Sequence, residues 1–238
     1  MADSVRGAII AAGEGSRLRA DGYRVPKPMV EVAGLPLIGA VLRNFTTAGI
    51  TAITVILNER ERECVEWVRA RFPALEIDFI VKTTTSSLES FREVTGRGPA
   101  GPMLVSTVDA WCSTEDFARF AGQAARRPSD TTVLAVTPFV SDEKPLWVAL
   151  GADGRVEALG QGDGRLVTAG VYRVSDRARR LAPAAGLGRL REYLGWLLEN
   201  GEPLYGEVIE TVVDVDRGLD VASAEALARR PRAQGGCR

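Results

Sequence analysis

A glycine turn and a lysine between two prolines lie close together near the start of the chain. Residues 6–12 form a short apolar run that predicts a buried strand, and Gly13-Glu14-Gly15 follows it directly. Glycines there let backbone N–H groups approach a phosphate closely, and Arg17 adds a forked cation. Pro26-Lys27-Pro28 then holds a flexible ammonium on a rigid arm, because each proline restricts its own backbone and that of the residue before it. These residues predict a site for a polyphosphate whose charge grows during a reaction.

Two common phosphate-binding motifs do not fit this turn. A dinucleotide-binding fingerprint needs a third glycine where Leu18 stands and an acidic strand end roughly 20 residues later, whereas the next predicted strand of that kind begins only after Thr51. A P-loop needs Gly-Lys-Ser/Thr, which the sequence lacks. A glycine turn alone is also compatible with a plain structural turn, so the prediction depends on its combination with Arg17 and Lys27.

Acidic residues follow two later predicted strands. Asp109 ends the strand at 103–108, and Ser113 offers the next helix a better cap, so capping does not explain Asp109. Asp214 and Asp216 alternate with valines, so their carboxylates point to one face of a strand. Like charges that close repel each other unless a cation or a helix N-terminus lies between them. We predict that Asp109 has a functional role at the ligand-facing end of its strand and that Asp216 binds a metal ion, with Asp214 as a further candidate.

The composition excludes several kinds of chemistry. The 238 residues contain no histidine, which removes Ser-His-Asp and Cys-His catalysis and histidine-ligated metals. The three cysteines form no Cys-x-x-Cys pair and predict neither a disulfide framework nor a zinc site. A metal site would then consist of carboxylates, which favours Mg²⁺ or a similar hard ion. Lysine is rare, because only Lys27, Lys82 and Lys144 occur among 30 basic residues.

Charge and hydropathy predict an ordinary soluble protein. Apolar residues make up 45% of the chain, and the formal net charge is −1 with no basic block, which argues against a nucleic-acid or membrane-surface partner. Apolar runs stay well below the roughly 18 residues of a membrane helix, and the N-terminus does not resemble a signal peptide. We therefore expect a cytoplasmic protein.

The spacing of apolar residues predicts alternating strands and helices. Such alternation is typical of a three-layer, Rossmann-like α/β sandwich with a mostly parallel central sheet. Asp153-Gly154 predicts a hairpin turn after this pattern changes. We expect one domain over 1–230, with a small antiparallel lobe over about 139–212 at one sheet edge, and a disordered tail at 231–238. The predicted strands are 6–12, 29–32, 52–57, 77–81, 103–108, 132–136, 146–150, 155–159, 166–174 and 208–215, and the predicted helices are 37–48, 61–72, 86–94, 116–125, 190–198 and 222–229.

A run of hydroxyl side chains follows the strand at 77–81. Ser86 and Glu89 form a capping box, which by itself explains both residues. The same position faces the ligand edge of the predicted sheet, where Ser86 and Ser87 could bind a base or a ribose. Trp111 and Trp147 could line a substrate pocket, and core packing explains them equally well.

Taken together, these residues resemble the nucleotidyltransferase superfamily that includes sugar-1-phosphate nucleotidylyltransferases, molybdopterin guanylyltransferase-like proteins and phosphocholine cytidylyltransferases. The resemblance covers nearly the whole chain. It rests on Ala-Ala-Gly-x-Gly-x-Arg at 11–17, Pro26-Lys27, the strand-end Asp109 and Asp214-Val-Asp216.

The resemblance implies a fold of the nucleotide-diphospho-sugar transferase type, in which the antiparallel lobe binds the acceptor. It also implies that Arg17 and Lys27 are catalytic, that Asp109 and Asp216 hold Mg²⁺, and that an acceptor phosphate displaces pyrophosphate. Ala169-Gly170-Val171-Tyr172 matches a family strand, but Glu143-Lys144-Pro145 lies earlier than its counterpart. With the residues singled out above, the expected acceptor-binding residues are Lys144, Trp111 and Gly170, and the expected nucleotide-binding residues are Ala11, Ala12, Gly13, Gly15, Ser16, Arg17, Ser86 and Ser87.

We therefore expect an Mg²⁺-dependent transfer of a nucleoside monophosphate from an NTP to a small phosphorylated acceptor, such as a sugar 1-phosphate or phosphocholine. A molybdopterin-type guanylyltransferase and a non-catalytic nucleotide-binding regulator are the alternatives. The sequence leaves open the base, the acceptor and the oligomeric state.

Overall fold

Strands and helices alternate through most of the protein. The computed structural model describes residues 5–140, 144–161, 164–182 and 186–229. The helices are α1 Ser16–Ala20, α2 Leu37–Thr47, α3 Arg62–Arg71, α4 Ser87–Thr95, α5 Thr114–Arg126, α6 Asp176–Arg180, α7 Leu190–Glu199 and α8 Gly218–Ala228. The strands are β1 Arg6–Ala11, β2 Glu31–Val32, β3 Leu35–Pro36, β4 Ala52–Leu57, β5 Glu76–Val81, β6 Met103–Thr107, β7 Ala110–Trp111, β8 Thr132–Thr137, β9 Val148–Leu150, β10 Val156–Leu159, β11 Val167–Val174, β12 Leu204–Val208 and β13 Val213–Asp214.

Seven of these strands form a central sheet in the order β12-β8-β11-β6-β1-β4-β5. The pairs β6-β1, β1-β4, β4-β5 and β12-β8 are parallel, whereas β11 is antiparallel to both of its neighbours. Three short antiparallel pairs lie outside the sheet. The predicted α/β fold class with a mostly parallel sheet is therefore confirmed. Within the described ranges, none of the helices has the length and hydropathy that crossing a bilayer requires.

Both faces of the sheet are buried. Ile9 and Ala11 pack on one face with apolar residues of α2, α3, α5 and α8. Ala8 and Ile10 pack on the other face with residues of α4, α6 and α7. Because alternate residues of β1 enter two different cores, the strand is a continuous apolar run rather than an alternating one.

The predicted strand at 208–215 is wrong. β12 ends at Val208, and the separate strand β13 pairs with β7 outside the central sheet. Ile209 and Val212 between the two strands are buried, so the apolar pattern runs through the break and hides it. The strand at 29–32 is also shorter than predicted, because Lys27–Met29 is a 3-10 turn and the strand β2 consists of Glu31–Val32.

The segment 139–212 contributes more to the central sheet than the expected lobe would. Among the described strands of this segment, β11 and β12 belong to the sheet, and β9 and β10 form a small antiparallel sheet of their own. β11 lies inside the sheet, and Val171 and Tyr172, on its two faces, are both buried. The single-domain boundary stays a prediction, and the predicted tail at 231–238 lies outside the described residues.

Candidate active site

Four charged side chains predicted from the sequence meet beyond the carboxyl ends of β1 and β6. The Lys27 ammonium donates to Asp109 Oδ2 at 2.5 Å and also to Asp216 Oδ1. Arg17 Nη1 donates to the other oxygen of Asp216 at 2.8 Å. These residues are up to 199 positions apart in the chain, so the fold rather than local sequence brings them together.

The glycine turn holds the lysine arm in place. Gly15 has a φ of +60°, and a Cβ atom there would lie 2.9 Å from the Lys27 Cβ. Only glycine accepts both this backbone conformation and this close approach without strain. Gly13 is different, because a Cβ at this position would meet no atom within 4 Å. Gly15 therefore supports Lys27, whereas Gly13 leaves open space beside the turn.

The acidic residues are positioned by the β7-β13 pair. Asp109 lies between β6 and β7, and its carbonyl accepts from the Val215 N–H at 3.0 Å. Asp214 lies in β13 and pairs with Ala110 of β7. The Asp216 N–H donates to the carboxylate of Asp220, which also caps the start of α8. The short antiparallel β7-β13 pair thus brings both aspartates of the Asp214-Val215-Asp216 motif to the end of β6.

Charge–charge attraction outweighs burial in this cluster. Lys27 is only 7% exposed, and burial alone would lower its pKa. The carboxylates of Asp109, Asp216 and Asp214 instead raise the pKa of Lys27 above its ordinary value. Burial likewise opposes the ionisation of Asp109, but the charge and hydrogen bond of Lys27 hold the pKa of Asp109 below its usual range. Both groups are therefore charged at neutral pH.

The donor set at this point suits a hard cation. Asp109, Asp214 and Asp216 each offer a carboxylate oxygen, and these atoms lie within 4.8 Å of one another. Oxygen ligands of this kind are the ones that Mg²⁺ and Ca²⁺ prefer. The predicted pair Asp109 and Asp216 thus gains Asp214, which the sequence left open.

A cavity of about 200 Å³, here called the strand-end cavity, adjoins Asp109 and Asp214. Gly170 lies in its wall with a φ of +71°, and a Cβ there would lie 2.6 Å from Thr107 Oγ1. Glycine is therefore required where β11 runs closely beside the end of β6. The wall combines charged, polar and apolar side chains. Its lining includes Ser87, Asp109, Phe139, Tyr172, Arg191 and Asp214.

Two predicted acceptor residues do not contribute side chains to this lining. Trp111 packs against the main core, in agreement with the alternative interpretation of that residue. Lys144 is exposed, and its carbonyl accepts from Arg191 Nη1 at 2.8 Å. Among the described residues, Arg191 itself provides a cation in the cavity wall. Arginine is so common in this sequence that nothing distinguishes Arg191 in the sequence alone.

The two predicted serines have different surroundings. Ser86 Oγ accepts from the Glu89 N–H at 3.1 Å and caps α4. Ser87 Oγ accepts from the Leu190 N–H at 3.0 Å, which joins the starts of α4 and α7 beside the strand-end cavity. Ser86 is thus explained by capping, whereas Ser87 faces the site.

A second cavity of about 300 Å³, here called the glycine-turn cavity, is lined by Gly15 and Lys27. Sequence reasoning missed two residues in its wall. Asn58 is buried, its Nδ2 donates to the Ala12 carbonyl at 3.5 Å, and its Oδ1 accepts from the Arg60 N–H. Burial raises the pKa of Glu61 to about 7. A polar residue directly after the buried strand β4 was the available signal for Asn58.

The remaining predicted nucleotide-binding residues form the turn itself. Ala11 and Ala12 are buried at the end of β1, and Gly13 is exposed. Ser16 begins α1 next to Arg17. Arg17, Lys27 and the glycine turn therefore share one end of the sheet with the acidic cluster.

The chain combines a mostly parallel α/β sheet with a glycine turn, a buried lysine and three acids at its carboxyl edge, which is the edge where open α/β sheets bind their ligands. Residues 7–199 match the family model described as the MobA-like NTP transferase domain. The chain belongs to this family of NTP transferase domains.

Individual relatives agree with this family. The chain is 29% identical over 102 residues to 2-aminoethylphosphonate cytidylyltransferase of Lancefieldella rimae, covering 41% of each protein. It is 28% identical over 247 residues to the bifunctional IPC transferase and DIPP synthase of Rubrobacter xylanophilus, covering 94% of this chain and 52% of that protein. The chain thus spans about half or less of the length of these two curated relatives.

The fold also has close counterparts among solved structures. The inositol-1-phosphate CTP transferase from T. maritima superposes with a TM-score of 0.80 at 17% sequence identity. The superposition covers 97% of this chain and 98% of that one. At this identity the likeness concerns the fold alone.

Proposed function

We propose that the protein transfers a nucleoside monophosphate, from CTP in the first instance, to a small acceptor that carries a phosphate or phosphonate group. The contact of Lys27 with Asp109 and Asp216, between the glycine turn and the strand-end cavity, carries this proposal. Membership of the NTP transferase family supports it. The choice of CTP is supported by relatives and a structural neighbour whose names specify cytidylyl or CTP transfer.

In this reaction an oxygen of the acceptor phosphate or phosphonate forms a bond to the α-phosphorus of the nucleotide. The bond from that phosphorus to the bridging oxygen breaks, and pyrophosphate leaves with the electron pair. The acceptor oxygen is already an anion, so no general base is needed, in keeping with a chain that contains no histidine.

Burial raises the pKa of Tyr172 to about 12, so its hydroxyl in the cavity wall stays protonated at neutral pH.

Catalysis then consists of alignment and charge stabilisation. The glycine turn and Arg17 hold the triphosphate, and the Lys27 ammonium stabilises the charge that develops on its phosphoryl oxygens. Asp109, Asp214 and Asp216 would hold Mg²⁺, which, when bound, supplies Lewis-acid stabilisation of phosphate charge. Water exclusion around the buried Lys27 strengthens each of these electrostatic interactions.

The strand-end cavity favours a small acceptor. Its volume of about 200 Å³ lies below the roughly 300–1,000 Å³ of pockets for drug-sized ligands. Arg191 in its wall provides a forked cation for the acceptor's phosphate or phosphonate. A phosphorylated alcohol or an aminoalkyl phosphonate matches these properties better than the bulky acceptor of a molybdopterin-type enzyme.

Pyrophosphate release tests this function. The four common NTPs would be combined with 2-aminoethylphosphonate, phosphocholine, myo-inositol 1-phosphate and glucose 1-phosphate, each with Mg²⁺ and with EDTA. We expect pyrophosphate from CTP with a small acceptor, together with the CMP-linked product, and none in EDTA. Nucleotide binding without pyrophosphate from any combination would instead identify a non-catalytic regulator and contradict the proposal.

A further inference from the structure

The Lys27 ammonium lies between the carboxylates that are proposed to hold the metal. It contacts one oxygen each of Asp109 and Asp216, and the charge of Asp214 also acts on it. Arg17 pairs with the second oxygen of Asp216 at 2.8 Å. Three acidic groups are therefore already balanced by two cations that belong to the chain itself.

Lys27 cannot leave this position by moving its backbone. Pro26 precedes it and Pro28 follows it inside a 3-10 turn, and its Cβ is packed against Gly15. Only the outer part of its side chain is free to turn. A divalent cation that approached Asp109 and Asp216 would therefore meet a buried positive charge at contact distance, where solvent screening is weak.

A bound triphosphate would change this balance. Its phosphates bring several negative charges to the glycine turn, which packs directly on Lys27. The same ammonium and the Arg17 guanidinium can then donate to phosphate oxygens instead of carboxylate oxygens. Asp109 and Asp216 would lose these cationic partners at the moment when a metal ion gains phosphate ligands.

We propose that Lys27 keeps divalent cations away from Asp109, Asp214 and Asp216 until a nucleoside triphosphate binds, so that the metal enters together with the nucleotide. This inference rests on the proposed nucleotide and metal sites and adds an order of binding to them. Lys27 thereby has two tasks: it acts as the counter-ion of the acids in the free protein and stabilises phosphate charge in the complex.

Mn²⁺ binding without any acceptor tests this order. Free Mn²⁺ would be measured by electron paramagnetic resonance in titrations of the wild type, Lys27→Met and Lys82→Met. Lys82 is a matched control, because it also pairs with two carboxylates, those of Glu89 and Glu93, outside the site. We expect Lys27→Met to bind Mn²⁺ about tenfold or more tightly than the wild type, and Lys82→Met to match the wild type.

Two further arms keep the test decisive. The double variant Lys27→Met/Asp109→Asn should lose the tighter Mn²⁺ binding of Lys27→Met. This loss would assign the tighter binding to the acidic cluster. The wild type with a non-hydrolysable CTP analogue should bind Mn²⁺ more tightly than either the protein or the analogue alone. This measurement uses the wild type only, so it does not depend on whether a variant folds. Equal Mn²⁺ affinity of the wild type and Lys27→Met, or no gain on adding the analogue, would overturn the proposed order. Both results are Mn²⁺ affinities and do not depend on turnover. A failure of the proposed binding order can therefore be distinguished from a failure of the proposed function, which pyrophosphate release tests.

Discussion

At the level of single residues, the two glycines of the first turn have different tasks. Gly15 is required by its positive φ and by the Lys27 side chain packed against it, whereas a side chain at Gly13 would extend into open space. The glycine pattern alone could not separate these roles, because both glycines belong to the same motif. The contacts of a hypothetical Cβ atom do separate them.

The Gly13→Ala variant tests whether the open space belongs to the nucleotide. We expect its melting temperature to stay at or slightly above that of the wild type, because alanine reduces the freedom of the unfolded chain. The KM for CTP should rise about tenfold or more, since the added methyl occupies the phosphate approach. Gly122→Ala in α5, where a Cβ also meets nothing within 4 Å, is the control. Unchanged CTP affinity in Gly13→Ala would place the triphosphate elsewhere.

Arg191 is expected to bind the acceptor and not the nucleotide. Its removal takes a cation from the wall of the strand-end cavity, so Arg191→Ala should raise the acceptor KM about 10- to 100-fold, in line with the loss of a charged hydrogen bond. The KM for CTP should change little. Arg189→Ala, at an exposed position at the start of the same helix, serves as the control. Equal effects of both variants on the acceptor KM would contradict this assignment.

At the level of elements, most strands and helices could be predicted and their partners could not. The 3.6-residue spacing predicts α2, whose inward face is formed by Ile38, Leu42 and Phe45, all of them buried. Nothing in the local pattern shows that β13 leaves the sheet to pair with β7. That pairing decides where Asp214 and Asp216 lie, because strand partners depend on the whole fold.

Capping and nucleotide binding by Ser86 can be separated by comparison with another cap. Ser86 caps α4 and Ser113 caps α5 through equivalent hydrogen bonds of 3.1 Å. Replacing either serine by alanine should lower the free energy of unfolding by about 1 kcal/mol. We expect both variants to keep the wild-type KM for CTP. A raised KM in Ser86→Ala alone would restore the nucleotide-binding role predicted from the sequence.

At the level of the whole molecule, the alternation of strands and helices was sufficient to predict the α/β class. It did not predict that β11 is inserted antiparallel between β6 and β8. This insertion places Gly170 and Tyr172 beside β6, where both line the strand-end cavity. Long-range order of this kind depends on the packing of two cores, which local spacing does not encode.

The pH dependence of global stability should contain a contribution from Glu61. Burial raises the pKa of Glu61 from 4.5 to about 7. At pH values between these two numbers, Glu61 is protonated in the native state and mostly ionised in the unfolded state. The unfolded state binds fewer protons there, so stability falls as pH rises from about 4.5 to 7. The loss should amount to about 2–3 kcal/mol.

The loss is the difference between the free energies of unfolding in urea at about pH 5 and at about pH 8, because most of the titration falls between these two pH values. Glu61→Gln keeps the side-chain shape and cannot ionise, so the difference in unfolding free energy between the two pH values should be smaller than in the wild type. Identical pH dependence of both proteins would show that Glu61 does not hold its proton in the native state.

The steady-state rate of pyrophosphate release by Lys27→Met and Lys82→Met tests the central claim most directly. Both substitutions remove an ammonium that pairs with two carboxylates, but only Lys27 lies among Asp109, Asp214 and Asp216. The account predicts that kcat falls roughly 10²- to 10³-fold in Lys27→Met and stays at the wild-type value in Lys82→Met. A folded Lys27→Met protein that releases pyrophosphate as fast as the wild type would contradict it.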